Sequence, residues 1–291
     1  MNYTVNSSSF DSGWSALSTS VIDVCVQLVL YGIYLVLFIL AIHTLTRRKS
    51  GGKKLLLGYT WTMIVFGTVQ LVVCLVQAAI NVRCVEVLVK QDVAGNLTSQ
   101  PELARLARLD KSLTIAQFMI FAVNNLTTDS LLLYRCFVIW GSDWRPVVLP
   151  GVLMACTFVA GCVDNLVAVP AALFRLPYIF AALTNLALVG FIGGRIWYIR
   201  QDARVVAGDR LRKRYDMVIA MILESGAVYF VVSLLLAVLQ SRMAFYTLQA
   251  IAIHTVNIVP TLIVVRVGLG HTIGTDETGP ASGASNINPQ P

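Results

Sequence analysis

The chain has 291 residues, 57% hydrophobic and 13% charged, with a formal net charge of +7 and a mean hydropathy of +0.74. A soluble globular domain carries charge on about a quarter of its residues, so this polar coat is too thin for water, and a lipid bilayer is the solvent it fits. The positive balance matches the Lys and Arg excess that polytopic proteins keep in their cytoplasmic loops, which sets nucleic acid aside as a partner.

Residues 1–20, MNYTVNSSSFDSGWSALSTS, hold no Lys or Arg and no apolar core. They read as a translocated extracellular leader rather than a cleaved signal peptide. Seven apolar stretches follow, at 21–45, 55–80, 113–139, 147–166, 177–199, 215–239 and 245–267. Each meets the need of roughly 20 residues for a hydrocarbon core of ~30 Å. Residues 268–291, rich in Gly, Pro, Ser and Asn, have too little apolar content to pack and are expected to form a disordered cytoplasmic tail. The expected fold is an all-α, seven-transmembrane helix bundle over 21–267, amino terminus outside and carboxyl terminus cytoplasmic.

Orientation rests on counting Lys and Arg. Of 22 in the chain, fifteen lie on the side of the TRRKSGGKK and RQDARVVAGDRLRKR loops and seven on the other. The basic face is therefore assigned to the cytoplasm, in a multi-pass protein of the plasma membrane. Three glycosylation sequons, at Asn2, Asn6 and Asn96, fall on the opposite face. A fourth, at Asn125, lies inside span three. The long exterior loop ends in SQPELARLARLDK, a helix start with a Ser cap, an early Pro and an acid in the first turn; span three is expected to begin as a helical extension near Pro101. Cys84 opens that loop and Cys162 lies near the outer end of span four. In an oxidising compartment they form either a disulfide or two separate thiols.

Polar groups inside the spans carry the functional reading, because each is costly in lipid. Asp129 and Glu224 lie deep in spans three and six, so each calls for a partner or a proton. Arg135 and Arg195, about one turn inside the cytoplasmic face, are the expected partners. Such an ionic network either locks spans three, five and six together or switches its pairing between states. Gln117 and Asn124 on span three, with Asn125 on its neighbouring edge, and His254 and Asn257 on span seven either line an outward ligand cavity or hydrogen-bond between helices. Pro260 is expected to kink span seven.

Several activities lack their residues. The six Lys all fall outside the apolar stretches, which removes a retinal Schiff base. The three His, at 43, 254 and 271, make no closely spaced pair, so no metal is expected. Neither a GxSxG elbow nor a phosphate-binding Gly-rich loop occurs. The chain reads as no enzyme and needs no cofactor.

Four segments, DSLLLYRCFVIWGSDW at 129–144, GGRIWYIR at 193–200, ILESGAVYF at 222–230 and NIVPTLIVVRVGLG at 257–270, are similar to a group of uncharacterised seven-span proteins of mushroom-forming fungi. They keep the group's order from span three onward, and the group implies no activity. The topology also resembles that of G-protein-coupled receptors. Tyr134-Arg135-Cys136 resembles their D/E-R-Y triplet, and Asn257 to Pro260 their N-P-x-x-Y motif. The acid is displaced to Asp129, and Asn257 and Pro260 are not adjacent. The topology, the short connecting loops, the polar third span and the basic loops lead to an expected orphan receptor-like protein whose small extracellular ligand enters between spans three, five, six and seven, with basic loops suited to docking an acidic cytoplasmic partner. A transporter or lipid-handling protein using the buried carboxylates, and a structural protein without a ligand, are the alternatives.

Overall fold

The computed structural model describes residues 7–47, 53–94, 100–166, 175–202, 209–239 and 244–276. They form seven helices: α1 (Ser7–Arg47), α2 (Lys53–Ala94), α3 (Gln100–Ile139), α4 (Arg145–Leu166), α5 (Leu176–Asp202), α6 (Asp209–Leu239) and α7 (Ala244–Asp276). Among the described residues no strand occurs. Five helices, α1, α2, α4, α5 and α7, are long and apolar enough to cross a membrane. That number of apolar helices is the signature of an integral membrane protein.

Successive helices pack side by side and α1 closes the ring against α7. Within the ring α3 touches α2, α4, α5 and α7, so the helix with two polar edges runs through the middle. The polarity of the bundle is inverted relative to a soluble protein. Val21, Val29, Val36, Val65, Val72, Val148, Val152 and Val159 are exposed, whereas Gln27, Gln70, Asn124, Asn125, Thr128, Asp129, Asn185, His254 and Asn257 are buried. An apolar coat of this extent is unstable against water, and in lipid it is the face that costs nothing. Some of the buried and half-buried amides and hydroxyls pair across helices, as Gln77 does with Asp110 and Thr114, while Asn124 and His254 keep their side-chain polar atoms without a hydrogen-bond partner.

Helix ends differ from the expected limits in one direction. The first helix begins at Ser7, within the leader, and α7 continues through Asp276, beyond the expected start of a disordered tail. A helix once nucleated adds a hydrogen bond for each residue fixed, which carries α1 through Gly13 and α7 through Gly268, Gly270 and Gly274. The extension foreseen near Pro101 is present, since α3 starts at Gln100. Sequon residues Asn2, Asn6 and Asn96 lie outside the described residues. All six cysteines are free thiols, Cys84 and Cys162 included, so the disulfide alternative is not realised.

The turn between α3 and α4 is built from its own residues. Gly141 and Ser142 both adopt a φ of 68°, the left-handed conformation that ends helices. The Ser142 amide then reaches back to the Phe137 carbonyl at 3.0 Å. Asp143 caps α4 by accepting the Arg145 amide at 3.2 Å.

Pro260 sits inside α7, which runs unbroken through it. Its ring removes the donor that would satisfy the Val256 carbonyl one turn earlier. Thr128 of α3 supplies a replacement, its hydroxyl donating to the Val256 carbonyl at 3.4 Å. Neighbouring hydroxyls relieve prolines in lipid in this way. We expect Thr128→Val to cost about 1 kcal/mol of stability and Pro260→Ala to abolish that penalty, because the restored amide takes over the carbonyl. Thermal unfolding of the single and double variants in detergent measures the coupling; purely additive effects would refute it.

Candidate functional site

Four helices enclose a cavity beside α3, with about 50 Å³ open to the centre of a water molecule. Its α3 wall is Phe118, Phe121, Ala122, Asn125, Leu126 and Asp129, and its α4 wall is Met154, Thr157, Phe158, Gly161 and Asp164. Both sets recur at three- and four-residue steps, so each is one helical face. Pro177, Tyr178 and Ala181 of α5 and Tyr229, Ser233 and Leu236 of α6 complete the enclosure, with Ala252 of α7 at its edge.

Three of the cavity's polar groups form a chain. The Tyr229 hydroxyl donates to Asn125 Oδ1, and Asn125 Nδ2 donates to Asp129 Oδ2 at 3.1 Å. Asn125 and Asp129 lie one turn apart, the spacing at which helical side chains meet. Tyr178 donates to Gln249 Oε1 of α7 at 3.3 Å, and Thr157 and Thr184 hydroxyls lie 3.4 Å apart. Asp129, only 1% exposed, and Asp164 each keep Oδ1 buried without a hydrogen-bond partner. The lining contains two carboxylates and no Lys, Arg or His.

The expected ionic network takes a different form. Asp129 is bound to Asn125, and among the described residues it makes no ion pair with Arg135 or Arg195. Arg195 instead stacks over Trp140, its guanidinium carbon 5.1 Å from the ring centroid, and over Tyr198 at 5.5 Å. Trp140 is held in place by donating its indole NH to the Phe191 carbonyl at 3.3 Å. An aromatic face satisfies a guanidinium without a second buried charge, and α5 carries that face one turn from Arg195. Arg135 is half-buried on α3 and Glu224 lies on an exposed face of α6.

Of the expected cavity residues, only Asn125 lines the cavity. Asn124 is one position away, about 100° around α3, and points into a second polar region shared with α7. There Asn124, His254 and Asn257 are fully buried. Tyr31 meets the His254 ring edge-on at 6.1 Å, and Asn257 with Tyr34 approaches the backbone of α2 where Gly67 has no side chain. Gln117 contributes its carbonyl to Gln70 Nε2 at 3.1 Å. Asn124 and His254 keep both side-chain polar atoms buried without a hydrogen-bond partner, and Asn257 keeps Oδ1 so. Asn257 Nδ2 reaches only the Ile253 carbonyl of its own helix, so among the described residues these three side chains make no interhelical hydrogen bond.

Asp164, Tyr178 and Tyr229 belong to the cavity without having been singled out from sequence. The available signal was Asp164 itself, a carboxylate within the fourth apolar stretch, on the same helical face as Met154, Thr157 and Gly161. The chain matches no family model, no curated protein and no solved structure.

Proposed function

We propose that this chain is a receptor-like integral membrane protein of seven spans that takes a small ligand from the exterior into the cavity between α3, α4, α5 and α6. The observation that carries the reading is the cavity, lined by Asn125, Asp129, Asp164 and aromatic rings. Largely apolar pockets with a few convergent polar groups are where proteins bind small molecules. The two helices that fall short of the apolar threshold support seven spans by their position. The third helix sits inside the ring and its polar residues face other helices, and α6 has an apolar run from Gly226 to Leu239. The charge count puts the end of α4 that bears Asp164 outside.

Two carboxylates lining one cavity favour a second reading, a cation- or proton-coupled transporter. The two readings separate in one set of measurements. A small-molecule library is screened by thermal shift on purified protein. In the receptor reading, compounds that stabilise the wild type lose their effect in Ala181→Phe, which fills the cavity, and are not accumulated by proteoliposomes. Uptake of such a compound, or proton flux that Asp129→Asn abolishes, would establish the transporter instead.

A further inference from the structure

The two carboxylates stand at opposite ends of the cavity. Ser130 Oγ of α3 lies 3.8 Å from Met154 Sδ of α4, so Asp129 is level with Met154. From Met154 to Asp164 the chain climbs roughly 15 Å along α4, at ~1.5 Å per residue. Phe118, Phe121 and Phe158 line the stretch between. A single metal ion cannot bridge carboxylates so far apart.

The shape of the space restricts the ligand further. About 50 Å³, if spread evenly over roughly 15 Å, would leave about 3 Å² for the centre of a water-sized sphere. With the ~1.4 Å radius of that sphere added, the slot is about 5 Å across, the girth of one unbranched methylene chain.

Charge selects the ends. The lining offers two acids and no base, and each acid keeps one buried oxygen without a partner. In a low-dielectric surrounding an ammonium group satisfies such an oxygen by a charge-assisted hydrogen bond of ~2.8 Å. With that helix rise of ~15 Å taken as the span between the two carboxylates, one such bond at each end leaves about 9 Å between nitrogens. At ~1.2 Å per bond in an extended chain, that separation corresponds to about seven methylenes.

We propose that the slot binds a linear aliphatic diamine, one ammonium on Asp129 deep in the bundle and the other on Asp164 at its mouth. The proposal rests on the reading of this cavity as a ligand site and adds the chemical class of the ligand. The Asn125 and Tyr229 chain positions the Asp129 carboxylate, leaving its Oδ1 for the ligand.

Isothermal titration calorimetry of the purified full-length protein in an uncharged detergent tests it with four probes: 1,7-diaminoheptane, 1,4-diaminobutane, n-heptylamine and 1,7-heptanediol. The heptane diamine is expected to bind at least about tenfold more tightly than each of the others. Asp164→Asn should reduce it to the affinity of heptylamine. Asp164→Glu shortens the slot by one methylene and should move the optimum to 1,6-diaminohexane, a gain that a misfolded variant cannot produce. Equal binding of the diol or the monoamine, or an optimum that ignores Asp164→Glu, overturns the diamine. If the diol binds and Ala181→Phe abolishes it, the cavity remains a ligand site while the dication falls. If no probe binds and no library compound responds to Ala181→Phe, both fall.

Discussion

Gly226→Ala should destabilise the bundle by about 2–3 kcal/mol, and Val189→Ala in the same chain should restore most of the loss. At Gly226 an added methyl would stand 2.3 Å from Val189 Cγ2 and 3.2 Å from Val189 Cβ. Valine is stiff at its first side-chain torsion, and its β-carbon moves only with the α5 backbone. The clash therefore pushes α5 and α6 apart. Asn185 feels the same displacement, since its Nδ2 donates to the Gly226 carbonyl at 2.7 Å. Small residues at helix crossings allow such close approach in lipid, where packing and hydrogen bonds replace the hydrophobic drive between helices. Removing the Val189 methyls creates the space that the alanine needs. Thermal unfolding of wild type, both single variants and the double variant in detergent measures the cycle. Independent, additive losses would show that the crossing is not the cause. Because Tyr229 stands one turn from Gly226 on α6, the single variant should also displace the cavity wall.

How much of this was legible in the residues follows from what each feature depends on. Length and apolarity of a helix are local properties, so the bundle and its helical extension from Gln100 could be read along the chain. The central place of α3 followed from Gln117, Asn124, Asn125, Thr128 and Asp129, because no single face of that helix suits lipid. Partner choice is not local. Arg195 was assigned to Asp129 because both lie toward the cytoplasmic half, but Trp140, which holds the arginine, comes eleven residues after Asp129, on nearly the same side of α3 and roughly 16 Å further along it. Adjacent Asn124 and Asn125 show the limit most clearly. The sequence puts them on neighbouring edges of α3 and offers both to one cavity, yet only Asn125 lines the slot. Asp164 was legible by the same rule, as a carboxylate inside the fourth apolar stretch, and was not singled out.

Asn125 is the side chain on which the cavity's polar order depends, and replacing it should reveal more than removing either neighbour. It accepts from Tyr229 of α6 and donates to Asp129 of α3, so Asn125→Leu leaves the Tyr229 phenol to Ser233 alone and strands a carboxylate oxygen. A buried polar group left without a partner costs about 1–3 kcal/mol, whereas an interhelical hydrogen bond in a membrane bundle contributes about 0.6 kcal/mol on average. The difference lies in the abandoned carboxylate, for which the described residues offer no cation close by. We expect a loss of about 2–4 kcal/mol for Asn125→Leu and about 1 kcal/mol for Tyr229→Phe, which leaves Asp129 and its amide contact intact. Asn125→Leu combined with Asp129→Leu should be more stable than Asn125→Leu alone, since two apolar groups of similar shape leave nothing stranded. Unfolding of the three variants in detergent gives the comparison. If Asn125→Leu stays within about 0.5 kcal/mol of wild type, the range of an ordinary surface substitution, Asp129 must be satisfied by another route and the network does not organise the cavity.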